Sequence, residues 1–261
     1  MDRKMIFLDI DGTLFDNKRD KIHESTLEAI RLLQERDDRL VFISTGRSWF
    51  QAKEVLERYD LTFDGYVLIN GQLVILNDEV IYDRPLHDDF IKRFVSECDR
   101  LELPYALVTP DFSVVSSYHP RIVDAFAHFK MELPRTIKPE DFKQRFYQGL
   151  FFTMDYFDHI FQRFNHEVDF FVWMNNSGAD IVAKGCSKAV GLEAIRQRLN
   201  ARREDIYAIG DSTNDIEMLQ YAHVGIAMGN AKDETKRASD YVTSDIAEDG
   251  VYKALKHFDL I

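Results

Sequence analysis

Two carboxylates, Asp9 and Asp11, close an apolar run in the segment Asp9-Ile10-Asp11-Gly12-Thr13. Two residues apart at a strand end, they can converge on one cation if the second contributes through its backbone carbonyl. Asp9 could then attack phosphorus while magnesium neutralises the phosphate oxygens. Asp11 could protonate the leaving oxygen and later deprotonate the attacking water. Gly12 lets the chain turn without a Cβ clash. A plain acidic turn capping a strand would use the same residue types.

Three further segments carry chemistry of a compatible kind. Thr45-Gly46-Arg47 offers a hydroxyl and backbone amides beside a helix start, a place to hold a phosphate oxygen. Lys184-Gly185-Cys186-Ser187-Lys188 enters a helix. A cation there runs against the helix dipole and so asks for an anion; Lys188 is preferred to Lys184 because it opens the helix. In Gly210-Asp211-Ser212-Thr213-Asn214-Asp215, the two acids lie four residues apart and share one face as a helix begins. Such a pair suits magnesium, which takes few protein oxygens and keeps water and phosphate for the rest. Asn214 can hydrogen-bond Lys188 or a phosphate.

Each segment follows a predicted strand, the edge at which open α/β sheets bind ligands. Continuous apolar runs at 5–8 and 40–43 read as strands buried on both faces, with a third at 66–69. Ser25 with Glu28 three residues on predicts a capping box, and a second helix is expected over 48–59. Asn70-Gly71 and Asn77-Asp78 bracket 73–76 as two hairpin turns. From 187 onward the alternation resumes. Helices are expected at 187–199, 215–222, 232–238 and 250–257, and strands at 206–209, 224–228 and 241–243. The fold class is therefore α/β, a doubly wound parallel sheet.

Residues 83–182 differ, with strand-like runs at 105–108, 113–116, 149–154, 168–174 and 179–183, and helical patterns at 88–100 and 120–130. Pro85, Pro104, Pro120, Pro134 and Pro139 all fall here. The expected organisation is a core of 1–82 and 183–261 with an inserted α+β unit at 83–182.

Composition narrows the partners. The 261 residues carry a formal net charge of −12, which argues against a nucleic-acid partner. An anionic substrate must then be received by locally placed cations. No apolar run approaches the ~18 residues that span a bilayer. The two cysteines, Cys98 and Cys186, lack metal-ligand spacing, and a reducing cytoplasm is the expected location. A monomer or weak homodimer is expected.

Taken together, the four segments resemble the signature motifs of the haloalkanoate dehalogenase superfamily, in the same order and strand positions. The resemblance covers about 160 residues, the whole chain apart from its middle. It implies a Rossmann-like core in which Asp9 is the nucleophile and Asp11 the general acid/base. It further implies that Thr45, with Gly46, and Lys188 bind the phosphoryl group, with Asn214 nearby. Magnesium would be ligated by Asp9, the Asp11 carbonyl and Asp211, with Asp215 a ligand through water or a supporting partner. The insertion between the second and third motifs, with Asn70-Gly71 after the third strand, is similar to the Cof-type branch with its larger cap. Members of that branch mostly hydrolyse sugar phosphates and other small phosphorylated metabolites, and the cap would select the substrate. Arg47 and Asn70 are the core residues expected to touch it. One departure is that Ala189 follows Lys188, where the family often has glycine; glycine arrives at Gly191.

The eight histidines show no metal-ligand spacing, and twelve aromatics within 142–173 are read as a cap core. Two rivals to a phosphatase remain. One is a phosphosugar mutase of the same superfamily, and the other a catalytically idle phosphometabolite-binding regulator.

Overall fold

The computed structural model describes residues 3–128, 131–173 and 176–261. Two compact units divide the chain: one takes residues up to Arg47, Gln51–Asp83 and Ser187–Ile261, the other Ser48–Phe50 and Arg84–Cys186.

The first unit opens with β1 (Lys4–Leu8), whose Met5, Ile6, Phe7 and Leu8 are all fully buried. A small hairpin follows, β2 (Phe15–Asp16) and β3 (Lys21–Ile22). Then come α1 (Glu24–Gln34), β4 (Arg39–Ser44), α2 (Trp49–Glu57) and β5 (Gly65–Leu68). Two reversals add β6 (Leu73–Leu76) and β7 (Glu79–Asp83). Asn77 and Asp78 both take positive φ in the second turn, as a two-residue hairpin requires.

The predicted capping box at Ser25 is not formed. Helix α1 starts at Glu24 with His23 as its N-cap, and the buried Ser25 hydroxyl has no partner. His23 Nε2 lies 3.0 Å from Asp16 Oδ2. That tie fixes where the chain enters the helix, two residues before the serine would have started it.

The second unit is built on an antiparallel sheet of β8 (Tyr105–Val108), β9 (Ser113–Val115), β10 (Gln148–Phe151), β11 (Val168–Val172) and β12 (Ala179–Ala183), in the order β11-β12-β10-β8-β9. Its helices are α3 (Asp88–Arg100), α4 (Pro120–His128) and α5 (Phe157–Phe164). Phe90 and Phe94 of α3 and Phe164 of α5 pack with Tyr105 and Phe151 in one core. Ile122 and Phe126 of α4 pack with Ala106 and Phe152 in another. The aromatic run is thus partly core, as expected, while Phe142, Tyr156 and Phe161 are exposed. The end of the helix expected over 120–130 and residue 174 of the strand expected over 168–174 lie outside the described residues.

The chain then returns to the first unit through α6 (Lys188–Arg198), β13 (Ile206–Gly210), α7 (Ile216–Tyr221), β14 (Val224–Ala227), α8 (Asp233–Arg237), β15 (Tyr241–Val242) and α9 (Gly250–His257). The full sheet runs β15-β14-β13-β1-β4-β5-β6-β7. It is parallel from β15 to β5, with β6 and β7 antiparallel. Alternate residues of β1 serve opposite faces. Met5 and Phe7 join a cluster with Leu192 and Ile195 of α6 and Met218 of α7; α1 packs beside α9 and β4. The glycine displaced from position 189 has a packing role at Gly191, where a Cβ would stand 2.2 Å from Val67 Cγ1. Helix α6 could not lie so close to β5 with a larger residue there.

Candidate active site

Parallel strands β1, β4, β5, β13 and β14 all end at the same edge of the sheet, and each delivers polar residues there. Asp9 follows β1 and is only 4% exposed. Its Oδ1 accepts a hydrogen bond from Lys188 Nζ at 2.6 Å, and the same ammonium donates to Asp215. Lys188 is fully buried and begins α6. Gly71, at φ +87°, lets the chain pass against that helix start, since a Cβ would meet the Ser187 carbonyl at 2.0 Å. Lys184, the alternative considered from sequence, is half exposed and paired with Asp169 in the other unit.

Asp211 and Asp215 complete the acidic side. One oxygen from each of Asp9, Asp211 and Asp215 lies within 4.8 Å of the others. Asp215 Oδ2 accepts from the backbone N–H groups of Asp211 and Ser212, both at 2.9 Å. Asp211 Oδ1 is buried with no hydrogen-bond partner. Burial, then the charge on Asp215, pushes the Asp211 carboxyl up to about 7. Burial and the same neighbour push Asp9 well above the ordinary carboxylate range, against the pull of Lys188. Lys188 is in turn raised: burial opposes its charge, but Asp215 and Asp9 outweigh that penalty. Three carboxyl groups crowd near one buried ammonium, and their mutual repulsion adds to burial in raising Asp9 and Asp211. A bare buried oxygen among hard donors fits a hard divalent cation, and Asp9 and Asp211 are the residues placed to hold it.

Asp11 lies apart from this cluster. Arg47 grips both its oxygens, Nε to Oδ2 and Nη2 to Oδ1, each at 2.7 Å, and Asn17 donates to Oδ1 at 2.7 Å. Burial works against the charge, but the Arg47 hydrogen bonds dominate and hold the carboxyl below its ordinary value. Arg47, expected to touch the substrate, is paired with Asp11, the strong acceptor within its reach. Two-point pairing of this kind is the strong form of a charged hydrogen bond.

Thr45, Gly46 and Asn70 form a second wall. Thr45 is buried, its hydroxyl accepting from Arg47 N at 3.1 Å and its carbonyl from Asn70 N at 3.1 Å. Asn70 takes φ 52°, a conformation asparagine tolerates better than most residues. Of the two partners expected for Asn214, Lys188 or a phosphate, Lys188 is not the one it bonds. Asn214 Nδ2 donates to Asn70 Oδ1 at 2.9 Å, while Lys188 is held by Asp9 and Asp215. Both amides stand next to the Gly46 backbone, where a Cβ would lie 3.2–3.4 Å from them.

One residue at this edge was not foreseen. Asn230, just after β14, donates from Nδ2 to the Gly12 carbonyl at 2.8 Å. Gly229-Asn230 reads in sequence as an ordinary turn; only its place after a fifth parallel strand singles it out. Among the described residues, no histidine joins the group able to hold a metal, and no helix is long and apolar enough to cross a membrane.

Residues 6–255 match the family of haloacid dehalogenase-like hydrolases. A Bacillus subtilis (strain 168) protein named "Putative phosphatase YkrA" is 35% identical, with all of both chains covered. The solved structure of the subclass IIB sugar phosphatase BT4131 aligns with a TM-score of 0.86 at 30% identity, covering 99% of this chain and 100% of that one. A second solved structure, the phosphatase BT1666 from Bacteroides thetaiotaomicron, gives a TM-score of 0.89 at 26% identity over 100% of this chain and 96% of its own. The chain belongs to the haloacid dehalogenase-like hydrolases, and within them to the phosphatases.

Proposed function

We propose that the protein hydrolyses small phosphate monoesters, sugar phosphates first among them, through a phosphoaspartyl intermediate on Asp9. The observation that supports this most is the buried contact between Lys188 Nζ and Asp9 Oδ1, which orients the Asp9 carboxyl group at a strand end and sets a cation beside it. Magnesium, held by Asp9, the Asp11 carbonyl and Asp211 with Asp215 in support, would neutralise phosphate oxygens when bound.

An Asp9 carboxylate oxygen forms a bond to phosphorus as the bond from phosphorus to the leaving oxygen breaks. Asp11, protonated from solvent once Arg47 releases one of its oxygens, gives the leaving oxygen its proton. In the second half, Asp11 takes a proton from water, the water oxygen bonds to phosphorus, and the bond to Asp9 breaks to release phosphate. Lys188, the Thr45 hydroxyl, the Gly46 amide and Asn214 receive the phosphoryl oxygens. Arg47 must yield one Asp11 oxygen for the proton transfer, and an incoming anion is the natural competitor for its guanidinium. The second unit would select the leaving group, and Asn70 would line the core side of the substrate. The sugar preference is supported by the name of the neighbour BT4131, and a cytoplasmic setting by two buried cysteines that form no disulfide.

A phosphate-release screen over sugar phosphates, nucleotides and cofactor phosphates tests this. Turnover of at least one sugar phosphate is expected with magnesium and none in excess EDTA. Asp9→Asn should abolish it while the fold persists. Unchanged turnover in EDTA would defeat the metal assignment.

A further inference from the structure

We infer that Asn230 is a positioning residue for the divalent cation, fixing which oxygen of Asp211 is offered to it. The inference rests on the cation site proposed above and concerns a residue outside the four motifs. Asn230 has three engagements, each to a different loop. Its Nδ2 donates to the Gly12 carbonyl at 2.8 Å and reaches Asp211 Oδ2 at 3.4 Å. Its Oδ1 accepts from Ile246 N at 2.9 Å. The loop after β1, the loop after β13 and the turn at 245–247 are thereby fastened through one side chain.

The consequence falls on Asp211. Its Oδ2 is the oxygen turned to Asn230 and to Gly12, where a Cβ would stand 2.2 Å away. Its Oδ1 is the buried oxygen without a partner. A carboxylate pinned on one oxygen presents the other in a fixed direction. Magnesium demands near-octahedral geometry at about 2.0–2.1 Å, whereas calcium accepts about 2.3–2.6 Å and irregular coordination. Pinning Asp211 therefore favours the smaller ion, and releasing it should erode that preference.

Gly12 supplies the second half of the case. It sits at φ +80° with its carbonyl committed to Asn230, so the loop that carries Asp9 and Asp11 is held to the loop that carries Asp211. Partners that orient metal-binding side chains typically set affinity by about 10–100-fold.

The test is calorimetric titration of magnesium and of calcium into substrate-free protein, wild type against Asn230→Ala, with melting temperatures measured in EDTA. Magnesium affinity should fall by about ten-fold and calcium affinity by about three-fold at most, so that the ratio of the two drops. Should Asn230→Ala fail to fold, Asn230→Leu keeps the side-chain volume and adds no charge or ligand while removing the donor, and the ratio of the two affinities remains the readout. An unchanged magnesium affinity, or magnesium and calcium affinities falling by the same factor, would overturn the inference. Absence of magnesium binding in the wild type would instead defeat the cation site itself.

Discussion

Replacing Lys188 by methionine is the perturbation whose size the structure defines best. The ammonium is fully buried between Asp9 and Asp215, and Asp211 belongs to the same acidic cluster. At 2.6 Å and an effective dielectric of about 20, each contact is worth about 6 kcal/mol before desolvation is charged against it. Removing one partner of such a buried set leaves the carboxylates uncompensated, and the net loss is about 3–5 kcal/mol. At about 2–4 °C per kcal/mol for a chain of this size, the melting temperature should fall by roughly 6–20 °C.

The pH dependence has a definite sign. Asp211 is already raised to about 7, above its ordinary 3.8, and loss of Lys188 raises it and Asp9 further. A carboxyl with a raised folded-state pKa favours folding while protonated and opposes it once pH climbs through that value. Lys188→Met should therefore be most damaged near pH 8 and partly recovered at pH 5. Adding Asp215→Asn should return part of the loss, because one of the orphaned charges goes with it. Differential scanning calorimetry in EDTA reads all of this. A variant melting within 2 °C of wild type at pH 8 would refute the assignment of Lys188 as the counter-charge of the site.

Other consequences follow from contacts elsewhere. Despite the desolvation of burial, hydrogen bonds from His23 and Arg19 hold Asp16 at about 2, below its ordinary 3.8. Its contribution, about 2 kcal/mol, is present above pH 4 and lost as pH falls towards 2; urea unfolding should show Asp16→Asn destabilised at pH 7 with the gap closed near pH 2, and an equal gap at both would contradict it. Arg47→Ala frees Asp11 from two charged hydrogen bonds, so its carboxyl keeps its proton to higher pH and the alkaline limb of the kcat/KM profile should move upward. A stationary limb would remove Arg47 from that role. Gly12→Ala forces a Cβ onto Asp211 at positive φ, and a loss of about 2 kcal/mol in thermal or chemical unfolding is expected; wild-type stability would show that the two loops are not packed as described.

Much of the core was legible in the sequence because buried parallel strands write themselves as unbroken apolar runs. Met5–Leu8 is such a run, and Asp9 and Gly12 mark where it stops. The turn at Asn77-Asp78 was legible for a related reason, since few residues accept positive φ. The misses have physical causes too. Helix α5 carries Phe157, Ile160, Phe161 and Phe164 at helical spacing, but it sits inside an aromatic stretch whose composition favours strands. The β2–β3 hairpin is too short to show any period. Partners were the least legible feature. Asp11 with Arg47, Asn214 with Asn70, and Asn230 with Gly12 are 36, 144 and 218 positions apart, and no local rule selects them.

The central claim is that Asp9 carries the phosphoryl group during turnover, and covalent trapping measures it most directly. Enzyme mixed with a turned-over phosphate monoester and magnesium, quenched in acid within milliseconds and digested, should show a phosphoryl adduct on the peptide containing Asp9. The same peptide from Asp9→Asn should be unmodified. A phosphoryl group found on another residue, or full turnover in the Asp9→Asn protein, would contradict the account.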